Sequence, residues 1–403
     1  MRVLTNSAIT LFASLSALLT INACLSKINS NQSSTSQLKS VKFTKDFIQR
    51  NYQLLKEPNL SLEKQNKVLV NSEKILTLSP INESPFLQLA LLEIQKKNYP
   101  KARTLLEKAE QRNPRSKHIL RALSLINIYE EDFTSAVKNI HTLMTRSKGE
   151  QLAEPLSFLS QIFTTPDGYN AIVDILSSGP SWGKAFLQHQ IKISNAENIK
   201  LLTAPLNNFR NSVVDESLSS ELHLKYINRL FTLGYTAEAY NQWLSFPFHK
   251  TPPKRGQVFD ENFKNELSGS VFSWRERHKP KYFSEIDKND GLFTSFEDIT
   301  PRKLTSQFLF LPNDTDYTLS VEFRRNYKDR NGYFNWQITC QSGQLLANIN
   351  IDDSNTDKNI LSANFKIPDT GCDLQEAKLL GHPGKYRARI SLTTKNFKVK
   401  TIK

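Results

Sequence analysis

Gly332-Tyr333-Phe334-Asn335-Trp336-Gln337-Ile338-Thr339-Cys340, followed by Leu345, Ala347, Ile349 and Ile351, is the stretch on which the fold turns. Phe334, Trp336, Ile338 and Cys340 occupy alternate positions, the two-residue period of a strand with one face on a core. Leu345, Ala347, Ile349 and Ile351 repeat that rule, and Ser342-Gly343 between the runs supplies the turn of a hairpin. A third run surrounds Phe365 and Ile367, and Cys372 closes the region. These features describe a β-sheet with a cysteine at each end. A bond between Cys340 and Cys372 would mean that the chain works outside the reducing cytoplasm.

Further alternating runs lie on either side: Phe308/Phe310, Tyr317/Leu319/Val321/Phe323 and Tyr386/Ala388/Ile390/Leu392, with Asn313-Asp314 as a turn. So many short strands within about 150 residues predict an antiparallel β-sandwich over 251–403, of jelly-roll type. Pro247, Pro252-Pro253 and Gly256 mark the linker into it.

Upstream, the periodicity is helical. Asn98-Tyr99-Pro100-Lys101-Ala102 is followed 34 positions later by Asp132-Phe133-Thr134-Ser135-Ala136, and Leu89, Leu92 and Ala109 align with Leu123, Ile126 and Leu143 at the same offset. A period in this range is the mark of stacked helix pairs. It resembles the tetratricopeptide repeat, in which a small residue lets paired helices approach and an aromatic fills the space between them. Residues 45–150 are therefore read as repeats of that kind. Residues 151–250 are helical but irregular, with breaks at Pro166-Asp167-Gly168 and Gly179-Pro180, and a later echo runs from Leu230 through Gly234 and Ala239 to Tyr240. Any antiparallel helix hairpin also has small and large residues at its crossing, which is the plainer reading of the same pattern.

The chain opens with Met1-Arg2 and an apolar run from Ala8 to Ile21, the length of a signal-peptide core. Ile21-Asn22-Ala23-Cys24 resembles the bacterial lipobox, which implies a signal peptide over 1–23 and lipidation of Cys24. An uncleaved anchor and ordinary secretory cleavage are the alternatives. With a lipid on Cys24, the other two cysteines are left to pair. Leu25 follows where some Gram-negative lipoproteins carry an Asp for inner-membrane retention, so the outer membrane is the expected destination. Residues 24–44, rich in Ser, Asn, Gln and Thr, read as a flexible tether.

Composition narrows the class further. The 403 residues carry a net charge of +14 at 38% hydrophobic content, a globular profile with an attraction for polyanions. The Lys and Arg residues are spread out and form no long basic run, so nucleic acid is not an expected partner. The seven histidines fall at no metal-ligand spacing, and there is no phosphate loop or serine elbow, so neither cofactor nor catalysis is expected.

A resemblance covers residues 85–400 in element order. Phe259-Asp260-Glu261-Asn262-Phe263, Phe272-Ser273-Trp274-Arg275, Asn335-Trp336-Gln337-Ile338-Thr339-Cys340 and Phe365-Lys366-Ile367-Pro368 up to Cys372 and Gln375 are similar to a bacterial tetratricopeptide-containing family found with exopolysaccharide-synthesis systems. Its C-terminal domain is similar to carbohydrate-binding jelly rolls. Lys264 stands where such modules carry an acidic residue, which argues against a calcium site, and Asn396-Phe397-Lys398-Val399-Lys400 departs from the aromatic-acidic ending of the family.

Together these features predict an α + β multidomain protein of the bacterial envelope, facing the periplasm. The resemblance implies a non-catalytic adaptor for exopolysaccharide assembly or export. Its helices would hold envelope proteins, and its sandwich would hold glycan, with an acidic polysaccharide suited to the basic surface. Tyr282, Tyr327 and Tyr333, beside Lys281, Arg325 and Arg330, are the expected sugar-facing residues, whereas Trp274 and Trp336 keep phase with apolar neighbours and read as core. A glycan-active enzyme and a structural lipoprotein without glycan binding are the alternatives.

Overall fold

The computed structural model describes residues 39–57, 60–212, 216–246, 253–264, 269–287, 289–325, 332–352, 359–384 and 389–402. The signal segment 1–23, Cys24, Tyr327, Arg330, Tyr386 and Ala388 lie outside the described residues, as does most of the linker around Pro247 and Pro252. The chain divides into two compact units: one runs to Gln190 and takes in Thr203–Ser212, and the other holds Ile191–Leu202 and the chain from Val213 onward.

The first unit is helical: α1 Lys39–Leu55, α2 Leu62–Leu78, α3 Ser84–Gln95, α4 Tyr99–Arg112, α5 Lys117–Tyr129, α6 Phe133–Thr145, α7 Ala153–Ile162, α8 Pro166–Leu176, α9 Gly183–Ile193 as far as Gln190, and α10 Thr203–Ser212. Helix α1 begins inside the span 24–44 that composition marks as tether. Its buried positions Ile48, Tyr52 and Leu55 need preceding turns to close the hydrogen-bond ladder, and the residues from Lys39 onward supply them.

The hairpins α3–α4 and α5–α6 share one design, at the period seen in the sequence. Lys97 and Glu131, in the two turns, both sit at φ 60°. The Asn98 N–H donates to the Glu93 carbonyl and the Asp132 N–H to the Asn127 carbonyl, closing the first helix of each pair. Ala102 and Ala136 lie fully buried at the crossings. Arg112 reaches back to the Pro80 carbonyl, and Arg146 to that of Pro114. Before these hairpins, a buried amide network ties α1, α2 and α3 together: Asn51 Nδ2 donates to Gln88 Oε1 at 2.8 Å and to Ser72 Oγ at 3.3 Å, and Gln88 donates to the Ile48 carbonyl.

In the second unit, α11 Glu216–Thr232 and α12 Thr236–Leu244 precede the strands. Their turn is a third copy of the same device, with Gly234 at φ 88° and the Tyr235 N–H on the Leu230 carbonyl. These helices therefore do not belong with an irregular helical region ending at 250. They are held by aromatic contacts within the β-rich unit: Phe231 to Phe308 at 4.6 Å, Tyr240 to Phe310 at 4.5 Å and Trp243 to Phe259 at 5.1 Å.

The strands are β1 Arg277–Lys279, β2 Tyr282–Asp287, β3 Gly291–Phe296, β4 Arg302–Leu309, β5 Asp316–Arg325, β6 Gly332–Cys340, β7 Leu345–Ile351, β8 Ile360–Lys366, β9 Gln375–Pro383 and β10 Ile390–Thr401. One sheet has the order β1-β2-β3-β10-β5-β8 and the other β4-β9-β6-β7, with antiparallel pairing throughout. Counted from β3, the eight strands fall in jelly-roll order, β3-β10-β5-β8 facing β4-β9-β6-β7, with β1 and β2 extending one edge. Trp274 and Trp336 meet edge to face at 5.5 Å in the core, and Phe397 packs on both. Cys340 and Cys372 are bonded, with Cα atoms 5.1 Å apart, tying the end of β6 to the approach to β9.

Candidate functional site

The alternation that sends Phe334, Trp336, Ile338 and Cys340 into the sandwich sends Tyr333, Asn335, Gln337 and Thr339 to the opposite, outer face. The register then decides their neighbours. Asn335 lies between Asn350 on β7 and Leu380 on β9, Gln337 lies between Asn348 and Lys378, Thr339 is opposite Glu376, and Tyr333 is opposite His382. On β4, Ser306 pairs with Lys378 and Phe308 with Glu376.

The result is a row of carboxamides. Asn335 Nδ2 donates to Asn348 Oδ1 at 2.7 Å and also to Asn350 Oδ1, and Gln337 Nε2 reaches Asn348 Oδ1 at 3.4 Å. Asn335 is 4% exposed and Thr339 5%, although neither points between the sheets, so the face is recessed. Asn335 Oδ1 is buried without a hydrogen-bond partner among the described residues. That is a costly state for an amide oxygen unless something else fills it.

At one end of the row, the Tyr333 and His382 rings lie 4.4 Å apart and parallel to within 2°. Burial holds the His382 pKa below the ordinary imidazole value, and its Nε2 is buried with no partner among the described residues. At the other end, Lys303 pairs with Glu376 at 2.6 Å and Lys378 Nζ donates to Thr339 Oγ1 at 3.2 Å. Arg275 lies 5.9 Å over the Phe308 ring. Burial pushes its pKa down, with Glu376 opposing that shift and Arg277 adding to it.

This arrangement offers amide donors and acceptors at strand spacing, an aromatic pair and a basic margin. Such chemistry suits a hydroxyl-rich ligand with flat ring faces better than a metal or an apolar molecule. Among the described residues no group of three His, Cys, Asp or Glu side chains is placed to hold a metal ion. A separate hollow of about 550 Å³, lined by Tyr240, Asn241, Arg255, Phe310, Asn313 and Asp373, lies where α12 meets the loop after β4.

Of the sugar-facing residues expected from sequence, Tyr333 lies on this face. Arg325 ends β5 in the other sheet, and its guanidinium donates to the Asp352 carbonyl just beyond β7. Tyr282 is on β2, also in the other sheet, partly buried against the sandwich core. Sequence reasoning does not single out Asn348, Asn350, Lys378, His382 or Arg275 as site residues. The polar positions between Ala347, Ile349 and Ile351 carry half of the signal, and the other half needs the register.

No family model matches the chain, and no curated protein matches it. Among solved structures, it is similar to TmCBM61 in complex with beta-1,4-galactotriose, at 11% identity over 37% of this chain and 100% of that one, with a TM-score of 0.26. The CBM22-1 xylan-binding domain from Paenibacillus barcinonensis Xyn10C gives 12% identity over 38% and 98%, with a TM-score of 0.27. The arabinose-bound MgGH51 a-L-arabinofuranosidase gives 11% identity over 38% of this chain and a TM-score of 0.28, and the match spans only 27% of that enzyme's length.

Proposed function

We propose that this is an exported, non-catalytic adaptor of exopolysaccharide assembly or export, in which the sandwich binds glycan along the outer face of the four-stranded sheet. The observation that carries the reading is the recessed carboxamide row around Asn335, with its unfilled Oδ1, set beside the parallel Tyr333–His382 pair. Sugars present hydroxyls at short, regular intervals and apolar ring faces, and a row of amides ending in aromatic rings complements both. The disulfide fits an exported protein, since such bonds persist where thiols are not kept reduced. Among the described residues no helix is long and apolar enough to cross a membrane. Attachment through a lipid on Cys24 at the outer membrane is part of the proposal. The repeated hairpins α3–α4 and α5–α6 are proposed as tetratricopeptide-like units that hold an envelope protein, because stacked helix pairs present an extended face to a partner.

A glycan array followed by product analysis tests the reading. Binding without turnover is the expected result, with Asn335→Ala and Tyr333→Ala each weakening it at least tenfold while Tyr282→Ala leaves it unchanged. Release of shorter oligosaccharides would replace the adaptor by an enzyme. Binding untouched by both of the first two variants would move the site elsewhere.

A further inference from the structure

The basic end of the outer face is over-supplied with charge. Lys303 and Lys378 rise from β4 and β9, and Arg275 leans over Phe308 from the segment beside β4, whose backbone it joins through an N–H bond to the Ser306 carbonyl. Arg277 lies close enough to Arg275 to repel it. Glu376 is the carboxylate that acts on Arg275, and Lys303 already holds one of its oxygens at 2.6 Å. Arg275 makes no side-chain hydrogen bond or ion pair among the described residues. Arg277 Nε is buried without a partner among them. Like charges gathered where water is partly excluded repel one another, and the arrangement is relieved by a bound anion.

We infer that the glycan held on this face is acidic, and that Arg275 and Lys378 receive a carboxylate of the sugar at the end of the carboxamide row opposite the Tyr333–His382 pair. The inference rests on the proposed glycan site and adds the class of its ligand. Arg275 is the main contact, since its planar guanidinium matches a carboxylate in a forked, two-bond geometry while its back rests on an aromatic ring. Lys303 is excluded from the role because Glu376 occupies it.

The test uses the full chain and paired polymers: polygalacturonate, alginate, hyaluronate and xanthan, each beside the same polymer with its carboxylates reduced to primary alcohols. Affinity electrophoresis is expected to show at least one acidic member bound ten or more times as tightly as its reduced form. The double variant Arg275→Gln/Lys378→Gln is expected to erase that preference, so that it binds the acidic and the reduced form of each polymer equally. Circular dichroism and the melting temperature establish that the variant is folded, and the single variant Arg275→Lys, which keeps the charge and loses the fork, is expected to lose most of the preference. Equal binding of acidic and reduced forms overturns the inference and leaves the glycan site standing. Binding of no polymer in either form overturns both. Tighter binding to a polyphosphate than to any acidic polysaccharide would also sink the inference, since it would show attraction to bulk charge rather than recognition of a sugar acid.

Discussion

At the scale of single residues, three turns place different side chains in one backbone conformation. Lys97 and Glu131 hold φ near 60°, where a Cβ crowds the following carbonyl, whereas Gly234 takes the equivalent place with no such cost. Lys97→Gly and Glu131→Gly are therefore expected to stabilise the chain by about 0.5–1 kcal/mol each, read from urea midpoints. Gly234→Ala should cost about 1–2 kcal/mol, all of it backbone strain, because nothing lies within 4 Å of the added Cβ. Gly234 can be read from the sequence as a turn, but Lys97 and Glu131 cannot: composition does not record a positive φ at a lysine or a glutamate. A second residue-scale prediction concerns His141. Trp182 Nε1–H donates to its Nδ1 at 3.2 Å, so the ring is neutral with its proton on Nε2, and burial lowers its pKa. Below the ordinary imidazole value the unfolded chain then binds more protons than the native one. Stability is full above that value and falls as the pH drops toward the lowered one. His382, lowered by the same cause, acts in the same direction. Denaturation midpoints measured from pH 8 to pH 5 should fall, and His141→Leu should flatten part of the slope.

At the scale of elements, the strands of the sandwich are legible wherever alternation is clean. β6 and β7 declare which residues turn inward, and the bonded cysteines close the region they bracket. The bond spans a sequence separation of 32, and constraining such a loop in the unfolded chain contributes about 3–4 kcal/mol on the chain-entropy argument. Replacing both cysteines by serine should lower the stability of the sandwich by that order in guanidinium titrations. A drop below about 1 kcal/mol would mean that the unfolded loop is already compact. The candidate site is legible only in halves. It is built from β4, β6, β7 and β9, and β4 meets β9 across some 70 residues of chain, with a register shift between Lys303 and Thr305. A second shift separates Ile338 from Thr339 in the β6–β7 pairing. A shift of one residue moves side chains to the opposite face, so no inspection of β4 alone could place Lys303 beside Glu376. For the same reason Tyr282 and Tyr333, alike in sequence setting, lie in different sheets. The helical period is legible because all its contacts are local. The third copy is hidden from the sequence as part of the β-rich unit because its partners, Phe272, Phe308 and Phe310, lie far along the chain.

At the scale of the whole molecule, a net charge of +14 complicates any claim of selective attraction, because the entire surface draws polyanions. Salt separates the two effects. Exposed charges act through solvent over a screening length of about 10 Å at 0.1 M salt, which shrinks to about 3 Å at 1 M, whereas contacts on a recessed face are screened far less. Lys400, exposed near the end of β10 in the other sheet, serves as the comparison. Lys400→Gln should weaken acidic-polymer binding slightly at low salt and not at all near 1 M. Arg275→Gln should weaken it at both, with the ratio to the parent protein held within about twofold across the series. Overall affinity should still fall with salt in every variant, because the general attraction is lost in all of them alike. If the Arg275 effect faded in step with that of Lys400, the basic margin would be one more part of a diffuse positive surface, and the carboxamide row would be left to bind a neutral chain.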